Sequence, residues 1–296
     1  MFPREITKTL KLFGYFSPRE ISAAVLLLEK LGDKARVLAG GTDLIHTMRL
    51  RQIMPEYLIS IKGIVDLNYL KDNTGLEIGA LTRISTIKES EIIKEKYTSL
   101  YEATEWFGSP QIRNMATVGG NICSSSPSSD FIPPLMALGA VLRLVGPKGE
   151  RDVLLEDFLL SSGKNILDHE ILTSIFVPIK GKNSGAAFKK LMRSSQDLAK
   201  VSVAVSIVVE GGRCRDIRIV LGAVADKVFR AKEAETILRG EQITERTIKE
   251  VAQKAAMEAQ PITDVRSTSD YRRQMIEVLV KRLIPLSIER AKLKKS

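Results

Sequence analysis

The sequence predicts an α+β protein built from two domains. Three observations support this: a length of 296 residues, a first half that mixes strand and helix patterns, and a second half of strands followed by helices. A regular doubly wound sheet would instead alternate strand and helix along the whole chain. The composition changes at residues 178–185, where Lys180, Gly181 and Lys182 follow one another. We therefore expect a first domain at residues 1–180 and a second at residues 181–296.

The first domain is expected to contain short strands and helices in mixed order. Ser17, Pro18 and Glu20 match a capping box, which predicts a helix that has Ser17 as its N-cap. Apolar runs and alternation predict the remaining elements. These are strands at residues 36–39, 57–61, 76–80, 141–145 and 170–177, helices at residues 43–50 and 94–106, and an apolar segment at residues 131–138.

The second domain is expected to contain three antiparallel strands and then three helices. Gly211 and Gly212 stand between two alternating apolar runs, which is typical of a hairpin turn. The predicted strands cover residues 186–192, 201–210 and 216–225, and the predicted helices cover about residues 227–238, 244–259 and 268–291.

Charge and composition exclude several classes of protein. The net charge of +10 comes from 45 basic and 35 acidic residues, but the basic residues are scattered and are not interleaved with aromatic ones, so we do not expect nucleic-acid binding. Two cysteines and two histidines are too few for a metal site on this chain. No apolar run approaches the ~18 residues of a membrane span. The first residues lack the apolar region of a secretory signal, so we expect a cytoplasmic protein.

Two glycine-containing segments carry the strongest functional signal. The first is Val37-Leu38-Ala39-Gly40-Gly41-Thr42-Asp43-Leu44, and the second is Ala116-Thr117-Val118-Gly119-Gly120-Asn121. Paired glycines remove Cβ atoms and permit positive φ, so that backbone N–H groups can approach an oxyanion. The first segment also lies between a predicted strand and a predicted helix start, which is typical of an anion site. Two such segments in one chain predict two walls of a single diphosphate site.

The glycine spacing differs from that of the common nucleotide fingerprints. Neither G-x-G-x-x-G nor a Walker A sequence occurs, so a nucleotide site here is not of the Rossmann or P-loop kind. A G-x-S-x-G nucleophile elbow is also absent. Asp43 and Asp130 each follow a glycine or proline turn. They are either turn and cap residues or carboxylates that accept hydrogen bonds from ribose or ribityl hydroxyls, and the sequence leaves both interpretations open.

An ordered series of motifs resembles one family over residues 16–283. It comprises Ala39-Gly40-Gly41-Thr42-Asp43-Leu44, Ile78-Gly79-Ala80-Leu81-Thr82, and residues 111–122, 126–130, 170–172, 188–189, 193, 197–199 and 264–273. In these residues the chain is similar to the FAD-binding medium subunit of the molybdenum hydroxylases, the family of xanthine dehydrogenase and aerobic carbon monoxide dehydrogenase. The resemblance implies a vanillyl-alcohol-oxidase (PCMH)-type FAD-binding domain with subdomains at about residues 1–56 and 57–180. A small α+β domain with a three-stranded antiparallel sheet and helices would follow.

The resemblance also implies which residues contact FAD. The implied cofactor-binding residues are Val37, Leu38, Ala39, Gly40, Gly41, Thr42, Asp43, Leu44, Phe107, Thr117, Val118, Gly119, Gly120, Asn121, Ser129, Asp130, Leu172 and Lys189. Only one of the adjacent Lys189 and Lys190 can point inward from a strand, and the register of Asp197 favours Lys189. Phe107 has an equal alternative as a core aromatic residue.

By the same resemblance, the chain is an electron-transfer subunit of a three-component molybdenum-containing hydroxylase or dehydrogenase. A large subunit would hold the molybdopterin cofactor and oxidise the substrate, and a small subunit with [2Fe–2S] clusters would pass electrons to the FAD, in a dimer of heterotrimers. The flavin would then reduce NAD⁺, a quinone, oxygen or another acceptor. No catalytic side chain is expected on this chain. A stand-alone flavin oxidase of the same fold and a non-catalytic basic adaptor are the alternatives.

Overall fold

The N-terminal subdomain is a three-stranded parallel sheet connected by helices. The structure is a computed structural model that describes residues 10–293. The elements in chain order are β1 (Gly14–Phe16), α1 (Ile21–Leu31), β2 (Ala35–Leu38), α2 (Leu44–Arg49) and β3 (Tyr57–Ser60). Strand β3 lies between β1 and β2 and pairs in parallel with both of them. Residues 57–60 therefore belong to this subdomain, and the expected subdomain limit at residue 56 falls one strand too early.

Helix α1 begins later than the capping box predicts. Its N-cap is Glu20 rather than Ser17, and the side chain of Glu20 makes no capping hydrogen bond. The buried face of the helix packs in one core cluster with Ile59 of β3 and consists of Ala24, Val25 and Leu28. Since no side-chain cap marks the start, we attribute the position of α1 to burial of this apolar stripe.

The second subdomain is an antiparallel five-stranded sheet covered by short helices. The sheet order is β4-β5-β10-β6-β7, and β8 and β9 form a separate hairpin. The strands are β4 (Leu70–Asp72), β5 (Gly75–Gly79), β6 (Val141–Gly146), β7 (Gly149–Leu154), β8 (Leu159–Ser161), β9 (Lys164–Asn165) and β10 (Ile171–Pro178). The helices are α3 (Ile84–Glu89), α4 (Glu91–Lys96), α5 (Thr98–Glu105), α6 (Pro110–Met115), α7 (Val118–Cys123), α8 (Ile132–Leu138) and α9 (Leu155–Phe158).

The single helix expected at residues 94–106 is interrupted, because the chain leaves helical geometry at Tyr97. Tyr97 has φ −123° and ψ 50° and separates α4 from α5. Its hydroxyl group donates a hydrogen bond to Oδ1 of Asp72 over 2.9 Å, which ties this junction to strand β4. Helix α5 ends at Glu105, so that Trp106 and Phe107 lie beyond it.

The C-terminal domain is a four-stranded antiparallel sheet packed by three helices. Its sheet has the order β11-β12-β13-β14, and the glycine pair at residues 211–212 forms the turn between β12 and β13, as the sequence predicts. The elements are β11 (Ser184–Leu191), β12 (Val201–Glu210), β13 (Arg213–Gly222), β14 (Phe229–Arg230), α10 (Lys232–Leu238), α11 (Glu245–Glu258) and α12 (Ser269–Leu293). Within residues 10–293, no helix is both long and apolar enough to cross a membrane.

Strand β14 corrects the expectation of a three-stranded sheet. It has only two residues, Phe229 and Arg230, which pair with Leu221 and Val220 of β13. The sequence analysis assigned these residues to a helix at 227–238, whereas α10 begins at Lys232. Two residues are too few to produce the alternating pattern by which a strand is recognised in a sequence.

Strand β11 is the element through which the C-terminal domain contacts the first domain. Ala187 lies in the core of the C-terminal domain, while its neighbour Phe188 lies in the core of the second subdomain. The Glu102 carboxylate on α5 reinforces this contact. It accepts hydrogen bonds from the backbone N–H of Phe188 over 2.8 Å and from Nη2 of Arg290 on α12 over 2.6 Å. Side chains and backbone of β11 therefore join the two domains.

We predict that Gly185→Ala destabilises the C-terminal domain and that Gly181→Ala does not. A Cβ atom at Gly185 would lie 2.0 Å from the carbonyl oxygen of Ser287, so β11 would be pushed away from α12. Overpacking of this kind costs about 1–3 kcal/mol. A Cβ atom at Gly181 would meet nothing within 4 Å. Urea unfolding of both variants measures the difference, and equal stabilities would contradict the close packing of β11 on α12.

Candidate cofactor site

The first glycine segment forms a turn with unused backbone donors. It connects β2 to α2, and Gly41 has φ +83°, a conformation that favours glycine. Within residues 10–293, no hydrogen bond uses the backbone N–H groups of Gly40, Gly41, Thr42 and Asp43. The carbonyl oxygen of Gly41 is used, since it accepts a hydrogen bond from Ile45 over 3.1 Å. A run of unused N–H donors at a strand-to-helix turn can bind an anion such as a diphosphate.

The apolar residues of this segment support the turn rather than line it. Leu38 is buried in a cluster with Met48 and Leu58, and Leu44 packs against the same cluster. Val37 and Ala39 pack against the core of the N-terminal subdomain. The packing of these four side chains therefore holds in place the backbone that carries the N–H donors of the turn.

The second glycine segment differs from the first because the backbone N–H groups of residues 118–121 are already used. The N–H groups of Val118 and Gly119 donate to the carbonyl oxygens of Thr82 and Ala80 over 2.9 and 3.0 Å. The N–H of Gly120 donates to the side-chain hydroxyl oxygen of Thr117, the N-cap of α7, over 3.1 Å. This segment therefore does not supply a second set of backbone donors, as two equivalent diphosphate walls would require.

The two segments nevertheless lie side by side, as the sequence predicts. A Cβ atom at Gly40 would lie 2.2 Å from the carbonyl oxygen of Met115 and 3.0 Å from Cα of Ala116. A Cβ atom at Gly119 would lie 2.7 Å from Ala80. At Gly40 and Gly119 the absent Cβ is thus required by packing within the chain.

Asn121 orders the loop that carries Asp130. Its Oδ1 accepts hydrogen bonds from the Ser129 hydroxyl group over 2.5 Å and from the backbone N–H of Phe131 over 3.2 Å. Asn121 and Ser129, both expected to contact the cofactor, therefore bond to each other. They connect α7 to the turn before α8 and fix the position of the residue between Ser129 and Phe131.

Asp130 is a buried carboxylate whose Oδ1 lies in the ion pair with Lys190 but accepts no hydrogen bond from the described chain. Nζ of Lys190 donates a hydrogen bond to its Oδ2 over 3.0 Å and lies 3.0 Å from Oδ1 as well. Oδ1 is buried and receives no hydrogen bond from the described chain. Burial raises the pKa of Asp130 to about 6, and the ammonium group of Lys190 opposes this rise. A buried carboxylate oxygen that makes an ion pair but accepts no hydrogen bond has lone pairs left for a ligand that supplies a hydroxyl group.

The structure corrects the expected orientation of the two adjacent lysines. Lys189 is exposed, and Lys190 is the inward residue, with a side chain only 3% exposed. Alternation along β11 places Phe188 and Lys190 on the same face, toward the first domain. The register of Asp197 therefore gives the wrong lysine, whereas the apolar Phe188, two residues before Lys190, is the sequence signal that identifies Lys190 as the inward residue.

Phe107 and Leu172 lie in the core of the second subdomain. The ring of Phe107 packs edge to face on that of Phe131, with 5.9 Å between ring centroids and an angle of 75°. Leu172 on β10 pairs with Leu144 of β6. For Phe107 these contacts favour the alternative of a core aromatic residue. Trp106, which precedes it, is 40% exposed.

The metal-ligating side chains and the cysteine thiols of the described residues form no reactive site. Among residues 10–293, no three His, Cys, Asp or Glu side chains are grouped so that they could hold a metal ion. Burial raises the pKa of both cysteine thiols, Cys123 and Cys214, to about 12, which keeps them in the unreactive thiol form near neutral pH.

The donor turn and the buried carboxylate fit a dinucleotide cofactor, which presents a diphosphate and several hydroxyl groups. Continuous contacts join them: Gly40 packs on Met115 and Ala116, α7 follows directly, and Asn121 bonds to the loop of Asp130. FAD contains both kinds of group. The site and the α+β fold fit the class of dinucleotide-binding proteins.

Comparison with known proteins identifies the family. Residues 11–180 match the FAD binding domain in molybdopterin dehydrogenase, and residues 186–285 match the CO dehydrogenase flavoprotein C-terminal domain. The glyceraldehyde dehydrogenase medium chain of Sulfolobus acidocaldarius is 36% identical over 90% of this chain and 95% of its own. The carbon monoxide dehydrogenase medium chain of Afipia carboxidovorans is 33% identical over 95% and 98%. The chain belongs to the family of FAD-binding medium subunits of the molybdopterin dehydrogenases.

Solved structures agree with this assignment. A carbon monoxide dehydrogenase from Hydrogenophaga pseudoflava superposes with a TM-score of 0.92 at 33% identity, covering 95% of this chain and 99% of that one. The resemblance drawn from the motifs, FAD as the cofactor and the class of oxidoreductase subunit are therefore confirmed.

We predict that Asn121→Ala lowers stability more than Ser129→Ala does. Loss of the Asn121 side chain leaves the N–H of the fully buried Phe131 without an acceptor, and an unsatisfied buried donor costs about 1–3 kcal/mol. Ser129→Ala removes only one of the two bonds to Oδ1, so a smaller loss is expected. Thermal unfolding of both variants gives the order, and a larger loss in Ser129→Ala would show that Asn121 does not organise this loop.

Proposed function

We propose that this chain is the FAD-carrying electron-transfer subunit of a three-component molybdenum-containing hydroxylase or dehydrogenase. It takes electrons from [2Fe–2S] clusters on a small subunit and passes them to an external acceptor, while a large subunit holds the molybdopterin cofactor. The observation that carries the proposal is the buried Asp130 carboxylate, whose Oδ1 accepts no hydrogen bond from the described chain and which is connected by direct contacts to a turn with unused N–H donors. The medium-chain names of two relatives support a complex with larger and smaller partners.

In this proposal the chain binds and orients the cofactor. The N–H groups of residues 40–43 hold the diphosphate, and Oδ1 of Asp130 accepts a hydrogen bond from a ribityl or ribose hydroxyl group. Thr117, Asn121 and Ser129 fix the start of α7 and the loop of Asp130 through their hydrogen bonds within the chain. Bound FAD supplies the redox chemistry, since a flavin accepts electrons one at a time and releases them as a pair.

The assembly proposed is a dimer of heterotrimers in the cytoplasm. The expectation that no catalytic acid, base or nucleophile lies on this chain stays part of the proposal, because substrate oxidation is assigned to the large subunit. The substrates named for the relatives, glyceraldehyde and carbon monoxide, differ from each other although the medium chains are similar. This difference supports a substrate pocket outside the medium chain.

We predict that the purified chain binds one FAD and that Asp130→Ala weakens binding by about 10- to 100-fold. A hydrogen bond to a charged group contributes about 1.5–3 kcal/mol, and each 1.4 kcal/mol is about tenfold in affinity. Asp157→Ala, which changes an exposed aspartate on α9, is the matched control. Quenching of FAD fluorescence on titration measures Kd, and visible absorption gives the stoichiometry.

Competition with ADP adds a test of the donor turn. Because residues 40–43 are proposed to bind the diphosphate, ADP should displace FAD, whereas riboflavin, which has no phosphate, should not compete effectively. Equal affinity for FAD in the wild type and Asp130→Ala would contradict the assigned role of Asp130. Failure of the wild-type chain to bind FAD would contradict the proposed function.

We also predict that the chain alone does not turn over the substrate of its complex. Co-expression with the large and small subunits should yield a complex that contains molybdenum, iron and FAD, and only this complex should reduce an acceptor with substrate. Substrate oxidation by the FAD-loaded chain alone would favour the stand-alone oxidase instead. Metal analysis of the affinity-purified complex, with the chain expressed singly as control, distinguishes the two.

A further inference from the structure

We propose that Lys190 is a positioning residue of the FAD site. Its ammonium group lies 3.0 Å from both oxygens of the Asp130 carboxylate and orients it, so that Oδ1, which accepts no hydrogen bond from the described chain, can accept one from the cofactor. Because Lys190 belongs to the C-terminal domain, retention of FAD depends on that domain being docked on the first. This inference rests on the proposed function, and its test can fail while the proposed function holds.

The geometry of the lysine supports a dedicated role. Nζ of Lys190 donates to Oδ2 of Asp130 over 3.0 Å and to the carbonyl oxygen of Trp106 over 3.3 Å. The lysine side chain is 3% exposed and that of Asp130 is 10% exposed, so little water reaches the pair. One ammonium group thus bridges the end of α5 and the turn before α8 from a strand of the other domain.

The charge of Lys190 decides which form of Asp130 is present. Burial alone favours the neutral carboxyl group, and Lys190 is the charged group that acts against it within the described chain. A neutral carboxyl group is a weaker acceptor than a carboxylate. Without the ammonium group, Asp130 would therefore be neutral over more of the pH range and would bind a hydroxyl donor less well.

The role of Lys190 can be separated from domain docking in general. A second ion pair, Glu102 with Arg290, also joins the two domains and has no hydrogen bond to Asp130 or to the glycine segments. A third, Glu156 with Arg230, joins α9 to β14. Variants of Arg290 therefore disturb docking without touching the Asp130 carboxylate.

The experiment is the pH dependence of FAD affinity, from about pH 5 to pH 8, in the full chain and its variants. Ionised Asp130 binds the cofactor hydroxyl, so wild-type affinity should be full only well above about pH 6 and should fall as the pH is lowered through that value. Lys190→Met and Lys190→Gln should lose at least about tenfold in affinity near neutral pH, and their midpoint should move upward by about one pH unit. Lys190→Arg should restore the wild-type midpoint.

Three controls isolate the effect. Lys182→Met changes an exposed lysine just before β11 and should leave both affinity and midpoint unchanged. Arg290→Met should leave the midpoint unchanged even where it weakens binding. His46→Gln changes a side chain on α2 beside the donor turn and should also leave the midpoint unchanged.

The possible outcomes distinguish the inference about Lys190 from the proposed function of the chain. A wild-type chain that binds FAD without loss of affinity below about pH 6 overturns the inference, and this result does not depend on whether any variant folds. Lys190→Gln with wild-type affinity and midpoint overturns it as well, while FAD binding by the wild type leaves the proposed function standing. Absence of FAD binding in the wild type overturns both the inference about Lys190 and the proposed function.

Discussion

The buried ion pair between Asp130 and Lys190 is the constraint on which the site and the domain arrangement both depend. Taking two charges out of water opposes folding, and a buried pair is therefore weak grounds for stability by itself. The pair also fixes where β11 lies, since Lys190 must reach past the end of α5 to the turn before α8. Phe188, on the same face of β11, packs into the core of the second subdomain. The face of β11 that meets the first domain thus carries the apolar Phe188 and the charged Lys190, and the ammonium group of Lys190 lies at the candidate cofactor site.

The glycines of the two segments perform different tasks, although the sequences look alike. At Gly40 and Gly119 the backbone of one part of the chain approaches another part too closely for a Cβ atom. At Gly41 the positive φ turns the chain so that N–H groups after β2 stay unused. Close packing and ligand binding both require a residue without Cβ, so a sequence pattern alone cannot separate them. The structure separates them by showing which donors already have partners.

Much of the fold follows from patterns that the sequence contains in full. Strands β6 and β10 and the turn at residues 211–212 have clear apolar runs or paired glycines, and they lie where predicted. The break at Tyr97 was not predicted, because it depends on a hydrogen bond to Asp72, which lies on another element. Strand β14 was missed because two residues give no period.

The candidate site shows the same division between local and long-range information. The two glycine segments could be recognised from local composition, and the prediction that they belong to one site agrees with the packing of Gly40 on Met115 and Ala116. The choice between Lys189 and Lys190 depends on which face of β11 meets the first domain, and this is a property of domain packing. Alternation states that one lysine points inward but does not state which one.

The three structural units contribute different parts of the candidate site, and in the proposed function this distribution links cofactor binding to domain arrangement. The N-terminal subdomain supplies backbone donors, the second subdomain supplies the Asp130 carboxylate, and the C-terminal domain supplies the ammonium group of Lys190. A ligand that binds the assembled site more tightly than the separated parts must stabilise the assembled state by mass action. The linkage is reciprocal, so docking of the C-terminal domain must raise the affinity for the ligand by the same factor. In an electron-transfer subunit, this coupling would allow tight retention of the flavin only when all three units are in place.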